Sequence, residues 1–410
     1  MEDSKGYLNT KEKSECYGCE ACAQICPKRA ISMKEDAEGF RYPIVDDALC
    51  VYCGLCNSAC PYEHMPEKHV DEKYVFGGYI NDDRVKDQST SGGAFSAIVD
   101  EWCDKDYVIF GAEARGLEVY HKFITDKNEL YRFRKSKYSQ SHIGSSYADC
   151  KNFLLNGKKV LFSGTPCHIA GLRAFLKNTD QTNLLTAEVI CEGVPSPLYV
   201  RKYDKWCQKN YKSPIEELDY RYKNGKKWDF EVMETKLRIG VQVKQDRWFN
   251  PFWSIWLNHL ISRPSCYKCP FTTKEREADI TLGDLWGVHL YCPELYGHNG
   301  GASLVVCNTD KGKEAFAKAE TLMYGHELDF DTALKYQSPM KKSIAYNPDR
   351  EACIADLQGE MDYKAINKKW AKRPTIKLLW QKYVWGNRQK VFCWNLKRKL
   401  TDHRGRNNNA

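Results

Sequence analysis

Two copies of one cysteine spacing lie near the N-terminus and constrain the fold more than any other feature. Each copy reads C-x2-C-x2-C-x3-C-P, with Cys16, Cys19, Cys22 and Cys26 in the first and Cys50, Cys53, Cys56 and Cys60 in the second. In this pattern three thiolates of a tight turn bind one iron-sulfur cube, and the fourth binds the cube held by the other copy. The spacing therefore predicts two [4Fe-4S] clusters and a role in electron transfer. The predicted ligand sets are Cys16, Cys19, Cys22 and Cys60 for cluster 1, and Cys50, Cys53, Cys56 and Cys26 for cluster 2.

Zinc and disulfide bonds are the two alternative uses of closely spaced cysteines. A zinc site takes four ligands from two separated pairs, so it leaves no role for a third Cys or for a fourth Cys that precedes Pro. Disulfides are disfavoured because the cysteines of each copy follow one another so closely and the N-terminus lacks the apolar segment of an export signal. Clusters therefore explain the repeated spacing better than either alternative.

The remaining composition is that of a globular chain kept in a reducing compartment. The 410 residues suffice for two or three domains, with 28% charged and 42% apolar residues. No window has the roughly 18 apolar residues that a membrane-spanning helix needs. The 19 cysteines, in a chain without a visible export signal, indicate reduced thiols and a cytoplasmic location.

Charge is distributed unevenly along the chain. Residues 1–70 carry 8 Lys+Arg and 12 Asp+Glu, whereas residues 361–410 carry 14 Lys+Arg and 2 Asp. The stretch 375–400 mixes Trp380, Trp385 and Trp394 with basic residues, which suits a C-terminal helix that packs on the core with its basic face in water. The alternative is peripheral contact with an anionic membrane surface. No nucleic-acid partner is expected, because no binding motif accompanies the positive charge.

The residue patterns divide the chain into three segments and indicate an α+β fold overall. Residues 1–68 form the two-cluster, ferredoxin-like unit, in which alternating stretches around a Gly at 30–46 predict a hairpin. Residues 70–330 alternate strand-like and helix-like stretches, which predicts an α/β domain with a mostly parallel sheet. Asn224-Gly225 between two alternating runs predicts an antiparallel β insertion at about 214–246. Residues 331–410 are a basic, aromatic C-terminal extension.

Four segments of the α/β domain place small residues or cysteines at turns. SGGAF (91–95) and FSGTPCHIAG (162–171) each lead into a helix, whose free N–H groups favour an anion. The second also puts Cys167 at a helix start, where the helix dipole favours thiolate. VICEGVPS (189–196) puts Cys191 at a strand end, and residues 265–287 contain a lone C-x-x-C, Cys266 and Cys269. Alone, each segment has an ordinary explanation as an N-cap, a buried thiol, a redox dithiol or half of a zinc site.

Together these segments carry a family resemblance. SGGAFSAI, RKSKYSQS (134–141), SGTPCHIAGL, CEG and CYKCPF with ADITLGDLWG resemble the beta subunit family of coenzyme F420-reducing hydrogenase and dehydrogenase over about residues 70–310. The resemblance implies an α/β flavoprotein domain that binds FAD, with an iron-sulfur cluster beside the flavin. It also implies the ligands of this third [4Fe-4S] cluster, namely Cys167, Cys191, Cys266 and Cys269. These residues all lie at turns, which a parallel sheet can gather at one edge.

The same motifs imply the flavin contacts. The small residues would cradle the pyrophosphate with backbone N–H groups, and Lys137 would neutralise a phosphate, although RFRKSK could equally be a solvated basic face. The implied flavin-binding residues are Ser91, Gly92, Gly93, Ser136, Lys137, Ser139, Gly164, Thr165, Pro166, Gly283 and Asp284. His168 could donate a proton near the flavin, although such a His is more often a satisfied polar residue. The seven other cysteines are expected to be buried thiols, namely Cys103, Cys150, Cys207, Cys292, Cys307, Cys353 and Cys393.

The expected function is that of an iron-sulfur flavoprotein oxidoreductase. A flavin can accept single electrons and deliver a pair, so it would link cluster chemistry to the reduction of an organic small molecule or carbohydrate. A soluble ferredoxin or a similar donor would supply the electrons at the acidic N-terminal unit. Two alternatives remain open: an electron-transfer subunit that serves a separate catalytic partner, and a non-enzymatic polyferredoxin-like carrier without flavin.

Overall fold

The N-terminal unit surrounds one antiparallel hairpin. The computed structural model describes residues 6–69, 72–223, 232–296 and 301–386, together with 389, 391–393 and 396. Strands β1 and β2 pair between the two cysteine motifs, which confirms the predicted hairpin. Each motif runs into a short helix, α2 or α3. The elements of this unit are α1 (Tyr7–Thr10), α2 (Ala21–Ile25), β1 (Ile31–Glu35), β2 (Arg41–Val45) and α3 (Leu55–Ser58), with a 3-10 turn at Lys13–Glu15.

An eight-stranded mixed sheet forms the centre of the larger domain. Its strands are β3 (Tyr74–Ile80), β4 (Tyr107–Arg115), β5 (Glu118–Ile124), β6 (Lys159–Gly164), β7 (Leu184–Val189), β11 (Ile280–Asp284), β12 (Ser303–Cys307) and β13 (Met323–Glu327). Their spatial order is β13-β3-β12-β11-β7-β6-β4-β5. The four central strands β11, β7, β6 and β4 run parallel.

The expectation of a mostly parallel sheet is wrong, because both flanks of the sheet are antiparallel. On one side β5 pairs with β4 through a tight hairpin, and on the other β12, β3 and β13 pair antiparallel in turn. Parallel neighbours need a helical crossover, but a helix between two strands in the sequence does not mean that these strands are parallel neighbours. The alternation of strands and helices therefore overstates the number of parallel strand pairs.

Helices cover both faces of this sheet. On one face α5 and α11 share a core with Phe76, Leu161 and Ile280, and on the other α6 and α7 pack with Phe110 and Phe162. The helices of the larger domain are α4 (Asp83–Asp87), α5 (Ala94–Trp102), α6 (Ser146–Leu155), α7 (Pro166–Phe175), α8 (Pro197–Tyr211), α9 (Pro251–Leu257), α10 (Val288–Tyr291), α11 (Asp310–Glu320) and α12 (Phe330–Leu334). The 3-10 helices are Lys127–Arg132, Pro264–Lys268, Pro293–Leu295 and Ser338–Met340.

The N-terminal unit is packed directly onto helix α7. Cys19 and Ala21 belong to the same buried cluster as the side chains of α6 and α7. At Gly171 the contact is so close that an added Cβ would lie 2.9 Å from the Cβ of Cys19. Because α7 begins beside Cys167, this packing brings the first cysteine motif near the cysteines of the larger domain.

The predicted β insertion is confirmed as a separate three-stranded sheet. Strands β8 (Ile215–Tyr222), β9 (Val232–Leu237) and β10 (Gln242–Asp246) pair antiparallel in the order β10-β9-β8. The Asn224-Gly225 turn itself lies outside the described residues. Tyr220 and Met233 of this sheet pack with aromatic residues of α9, including Trp253 and Trp256.

The C-terminal extension begins as part of the core and ends exposed. Helices α13 (Arg350–Gln358) and α14 (Tyr363–Trp370) pack against α8, and buried Arg350 forms an ion pair with Glu38 of the N-terminal unit. Beyond them lie α15 (Ile376–Leu379) and a π-helical turn (Trp380–Val384).

The predicted packing of residues 375–400 on the core is not seen for most of the described apolar side chains of this stretch. Ile376, Trp380, Trp385 and Phe392 are exposed, whereas Val391 is buried. Trp394 lies outside the described residues, and membrane contact by this tail stays a prediction. Within the described part of the chain, no helix combines the length and apolarity needed to cross a bilayer.

Candidate iron-sulfur sites and an adjoining cavity

Both N-terminal cysteine motifs share one unusual backbone pattern. In each copy, two residues have left-handed φ values, at the second and fourth positions after the first Cys. The φ values are 70° at Gly18 and 62° at Glu20 in the first copy, and 51° at Tyr52 and 73° at Gly54 in the second. Such residues bend the chain sharply, at a cost for the non-glycine positions. The repeated bend makes each C-x2-C-x2-C segment curl around a common centre, as a cube-shaped cluster requires.

Cysteines of the two motifs lie within electrostatic reach of one another. Burial raises the pKa of Cys22 well above the usual thiol range, and the nearby Cys16 and Cys60 raise it further. Burial also raises the pKa of Cys56, with Cys53 and Cys26 among the neighbouring charges. Four thiolates packed this closely repel one another, so the donor set fits a bound iron-sulfur cluster and not a set of free thiolates.

The two N-terminal sites differ in exposure. Cys19 is buried, whereas Cys53 is exposed. Cys26, Cys50, Cys53 and Cys56 line a surface depression beside the hairpin. We call the ligand set predicted for cluster 1 site 1 and that predicted for cluster 2 site 2. Site 2 is therefore the outer of the two, and site 1 lies between it and the larger domain.

Four cysteines that are far apart in the sequence line one cavity of the larger domain. This four-cysteine cavity has a volume of about 190 Å³, and its lining includes Cys167, Cys191, Cys266 and Cys269. Tyr17, Arg263 and Arg276 complete part of its wall, and residues 338–339 and 342–345 of the C-terminal extension also line it. All four thiols thus converge as the family resemblance implies, and the donor set fits a third cluster.

Sheet topology explains this convergence. Strands β6 and β7 are parallel neighbours, so the turns that follow them carry Cys167 and Cys191 to the same edge. Beyond that edge Pro195 and Ser262 form an isolated antiparallel bridge, and the Arg263 N–H donates to the Val194 carbonyl at 2.9 Å. This pairing places the Cys266 and Cys269 turn opposite the Cys191 turn.

The expected stabilisation of the Cys167 thiolate by the helix dipole is outweighed by burial. Burial raises the pKa of Cys167 to about 11, although the Thr165 hydroxyl at 3.2 Å from its sulfur opposes the shift. Burial likewise raises the pKa of Cys269 to about 12. In the metal-free protein these thiols are therefore protonated near neutral pH, and metal binding must displace their protons.

A second, larger cavity of about 530 Å³ adjoins the four-cysteine cavity. The two cavities share residues 191–194 together with Ser338 and Pro339. Sites for organic cofactors commonly have volumes of roughly 300–1,000 Å³, so this cavity can take a flavin-sized group. The predicted flavin residues that line it are Ser136, Lys137, Ser139, Gly164, Thr165 and Asp284.

Five other predicted flavin residues lie outside the lining of this cavity. The Ser91 hydroxyl donates to the Ala302 carbonyl at 2.6 Å, and a Cβ at Gly92 would lie 2.4 Å from the Gly78 carbonyl oxygen. Ser91, Gly92 and Gly93 thus let the start of α5 pack closely on the sheet. Gly283 makes room for Ile190 in the same way, and Pro166 lines the four-cysteine cavity.

Lys137 is enclosed at the wall of the large cavity and is not part of a solvated basic face. Its ammonium donates to the carbonyls of Arg134 at 2.6 Å and Arg132 at 3.3 Å. Burial lowers the pKa of Lys137 to about 7. An anionic group bound beside it would stabilise the charged form, because an opposite charge raises the pKa of an amine.

His168 is a buried residue that lines the large cavity. Burial lowers its pKa well below the usual range, so the ring is neutral at physiological pH and proton donation by an imidazolium is disfavoured. Neither of its ring nitrogens has a hydrogen-bond partner among the described residues. By contrast, the neighbouring His121 is held by the Ser141 hydroxyl and the Ser163 carbonyl. An orphaned buried donor and acceptor at a cavity wall fits a polar ligand inside the cavity.

Sequence reasoning missed several residues of the cavity wall. Arg221 forms an ion pair with Asp284 at 2.9 Å and lies over the Trp286 ring at 5.6 Å. Arg247, Trp253 and Trp256 also line the cavity. Most of them come from the β insertion and α9, where no spacing marks a ligand site, so a single sequence carries no signal for them.

The cysteines without ligand spacing are buried, as expected, with one exception. Six are buried, but Cys393 is exposed. Among the buried six, Cys292 is within 3.2 Å of the His326 imidazole. Among the described residues, these seven take no part in the four-cysteine cavity.

Buried Glu277 follows Arg276, which lines the four-cysteine cavity, and we expect it to make the stability of the protein depend on pH. Burial and the charge of Glu188 raise the pKa of Glu277 to about 7. In the unfolded chain its pKa is near the ordinary glutamate value of 4.5. Between these pH values the folded state retains a proton that the unfolded chain loses, so the free energy of unfolding falls as the pH rises.

We expect Glu277→Gln to remove this dependence and to stabilise the protein by about 1–3 kcal/mol at pH 8, with little effect at pH 4.5. Anaerobic urea unfolding of the variant and the wild type at both pH values measures the difference. Glu314→Gln on the exposed side of α11 controls for the lost charge. An equal difference between Glu277→Gln and wild type at both pH values would contradict the assignment.

Comparison with known proteins agrees with this arrangement. Residues 15–64 match the family model described as a 4Fe-4S dicluster domain, and residues 157–329 match the one that describes the C terminus of the coenzyme F420 hydrogenase/dehydrogenase beta subunit. A component of the anaerobic dimethyl sulfoxide reductase of Escherichia coli is 39% identical over 49 residues, which are 12% of this chain and 22% of that protein. A component of the NADH-quinone oxidoreductase of Geobacter metallireducens is 34% identical over 58 residues, 13% of this chain and 44% of that protein.

These curated relatives are matched over less than half of their own length. A solved structure of the F420-reducing [NiFe] hydrogenase complex from Methanosarcina barkeri is similar over 74% of this chain and 91% of that chain. Its identity of 14% and TM-score of 0.44 are too low to decide fold or function. The two family models, the paired cysteine motifs and the mixed sheet agree with one another. The chain therefore joins an N-terminal 4Fe-4S dicluster domain to a domain of the coenzyme F420 hydrogenase/dehydrogenase beta subunit family.

Proposed function

We propose that this chain is an iron-sulfur flavoprotein oxidoreductase. Single electrons from a ferredoxin or similar donor would pass through [4Fe-4S] clusters to FAD. The reduced FAD would then carry out the two-electron reduction of an organic small molecule or carbohydrate. Clusters supply one-electron steps, and a flavin supplies the conversion to two-electron chemistry. The observation that carries the proposal is the wall of residues 191–194, which the four-cysteine cavity shares with the large cavity.

The exposure of the outer site supports an electron inlet at the N-terminal unit. Cys53 is exposed, and the apolar side chains of Val51, Tyr52 and Leu55 beside it are exposed as well. Exposed apolar side chains in one patch commonly mark a docking surface. A protein donor that docks there would reach site 2 first, because Cys53 of site 2 is exposed whereas none of the four site 1 cysteines is.

Tyr17 supports a connection from site 1 to the four-cysteine cavity. Its buried side chain lies within electrostatic reach of Cys60 and also of Cys167 and Cys269. The Tyr17 ring contacts the Phe271 ring at a centroid distance of 5.0 Å. Side chains packed between site 1 and the four-cysteine cavity keep the two ligand sets at a fixed distance and orientation.

The wall of the large cavity supports a dinucleotide with a planar ring system. Lys137, Arg221 and Arg247 offer positive charge for a pyrophosphate, and Trp253 and Trp256 offer aromatic surface with indole N–H groups that lack partners among the described residues. His168, neutral and unpartnered, is placed to hydrogen-bond a polar edge of the bound group. Ser136, Ser139, Gly164 and Thr165 complete the proposed flavin contacts.

The second candidate function is an electron-transfer subunit that serves a separate catalytic partner. The matched family model describes a beta subunit, and the two curated relatives are named as parts of a dimethyl sulfoxide reductase and of an NADH-quinone oxidoreductase. The presence of a cavity beside the four cysteines favours the first candidate, because a carrier alone needs no site for an organic group.

Anaerobic purification followed by iron, sulfide and flavin quantitation tests the proposal. We expect about twelve iron atoms and one flavin per chain, and bleaching of the flavin absorbance when reduced ferredoxin is added. A chain that holds clusters but no flavin, even after incubation with FAD, would overturn the flavoprotein function. The remaining function would then be that of a polyferredoxin-like carrier without flavin. Reduction of candidate substrates only in the presence of a partner protein would favour the subunit.

Lys137 provides a point test of the flavin contacts. Lys137→Met removes a charge-assisted hydrogen bond, which is worth about 1.5–3 kcal/mol, so we expect FAD affinity to fall by about 10–100-fold. Fluorescence titration of the flavin-free protein with FAD measures the change. Lys122→Met on the exposed part of β5 is the matched control. Unchanged FAD affinity in Lys137→Met would place the flavin elsewhere.

A further inference from the structure

Arg263 is a buried cation that has no carboxylate partner among the residues the structure describes. Its relative exposure is 1%, and no Asp or Glu of the described residues lies within ion-pair distance of it. The guanidinium donates instead to three neutral oxygens, namely Cys16 O at 2.9 Å, Gln140 Oε1 at 2.9 Å and Arg41 O at 3.1 Å. An uncompensated buried charge is strongly destabilising, so some other negative group is expected nearby.

The position of Arg263 relative to the two inner sites identifies that group. Its backbone belongs to the turn that carries Cys266 into the four-cysteine cavity, since its carbonyl accepts from the Cys266 N–H at 2.9 Å. Its side chain lines the four-cysteine cavity and reaches the Cys16 turn of site 1. The guanidinium lies within electrostatic reach of both the Cys16 and Cys266 sulfurs.

The surroundings of the guanidinium hold it in place. It lies over the Tyr42 ring at 4.3 Å from the centroid, and the Phe40 ring is 5.5 Å away. The low dielectric of such an apolar setting strengthens the interaction of a fixed charge with its neighbours. Arg263 therefore combines a rigid position with a long electrostatic reach.

We propose that Arg263 is the shared counter-charge of the two inner [4Fe-4S] clusters. This inference rests on the proposed function, because it requires clusters at site 1 and in the four-cysteine cavity. A cluster with four thiolate ligands is anionic, and one-electron reduction makes it more so. The nearby cation stabilises the reduced form and raises the reduction potential of both inner clusters. Arg263 is thus a positioning residue that ties the Cys16 turn to the Cys266 turn and sets both inner potentials.

Redox titration of Arg263→Gln and Arg263→Lys, followed by EPR on the cluster-loaded chain, tests the inference. In Arg263→Gln we expect both inner clusters to become harder to reduce, so that the ratio of reduced to oxidised forms shifts about tenfold, or about 59 mV for a one-electron couple. Arg263→Lys keeps the charge and should stay near the wild type. The outer cluster of Cys26, Cys50, Cys53 and Cys56 is the internal reference and should not shift. Arg115→Gln, an exposed arginine on β4, is the matched charge control.

The outcomes separate this inference from the proposed function. Iron near eight per chain in the wild type would remove the third cluster and with it the shared role. A fully loaded Arg263→Gln with unchanged inner potentials would overturn the inference while leaving the proposed function standing. If Arg263→Gln loses iron, its potentials cannot be compared, and the result for Arg263→Lys is used instead. Retained iron with wild-type potentials in Arg263→Lys supports the counter-charge role of residue 263. Lost iron in both variants overturns it. So does a fully loaded Arg263→Lys whose inner potentials are lowered by about 59 mV, the tenfold shift expected for Arg263→Gln.

Discussion

Replacing Cys269 with serine is expected to remove the proposed third cluster while leaving the N-terminal pair intact. Cys269 shares its cavity with Cys167, Cys191 and Cys266, and Tyr17 lines the same cavity. A serine hydroxyl is a poor substitute for a thiolate ligand. Iron should fall from about twelve to about eight atoms per chain.

The same substitution should interrupt delivery of electrons to the large cavity. Loss of a residue that merely supports a metal ligand typically costs about 10–100-fold, so loss of a ligand is expected to slow flavin reduction by ~100-fold or more. Stopped-flow absorbance after mixing with reduced ferredoxin measures the rate. The EPR signals of the two N-terminal clusters should remain.

Cys207→Ser is the control for this experiment. Cys207 is a buried thiol of α8 and packs with Ile215 and Leu237, away from the four-cysteine cavity. It should keep all the iron and the wild-type rate. Full iron retention in Cys269→Ser would contradict the third ligand set, and an intact rate with reduced iron would show that the third cluster is not needed for flavin reduction.

Replacing Arg276 with methionine is expected to destabilise the protein by about 3–5 kcal/mol, because it strands a buried carboxylate. Arg276 and Glu188 form an ion pair in which both side chains are almost fully buried. Arg276 also donates to the carbonyls of Phe271 at 2.8 Å and Thr273 at 3.1 Å, which anchors the chain after Cys269. Its removal leaves Glu188 with the Thr281 hydroxyl as its remaining hydrogen-bond donor among the described side chains.

Urea unfolding under anaerobic conditions, followed by far-ultraviolet circular dichroism, measures this loss. Lys313→Met breaks an exposed pair with Asp310 on α11 and should cost about 0.5 kcal/mol or less. The double variant Arg276→Met/Glu188→Leu should recover most of the loss, because no buried charge is left unpaired. A single variant as stable as Lys313→Met would mean that solvent reaches Glu188.

Much of the local structure can be predicted from the sequence. The hairpin between the cysteine motifs, helices α5, α6, α7 and α8, and the antiparallel insertion all follow from residue periodicity and turn residues close to one another in the chain. Local patterns overstate the parallel character of the sheet, because strand order depends on pairings between distant segments. Strands β12 and β3 are separated by more than two hundred residues, and no local pattern encodes their antiparallel pairing.

The flavin contacts show the same limit at the level of single residues. A Gly-rich helix start can cradle a phosphate or can let a helix approach a sheet, and the two uses look alike in sequence. At Gly92 the backbone of Gly78 and Ser303 occupies the space where a Cβ would lie. At Gly164 the same kind of turn borders the large cavity. Only the packing around each turn distinguishes them.

The sequence by itself predicts the two N-terminal ligand sets of this protein, and it determines the sharp turns that carry them. The spacing within each motif is so short that covalent geometry and two left-handed residues direct three sulfurs to a common centre. The tertiary structure alone decided what surrounds them. The order of β6 and β7 and the bridge between Pro195 and Ser262 bring the other four cysteines together. The same packing buries Arg263 between two ligand sets, because a long side chain reaches across an interface that no local pattern records.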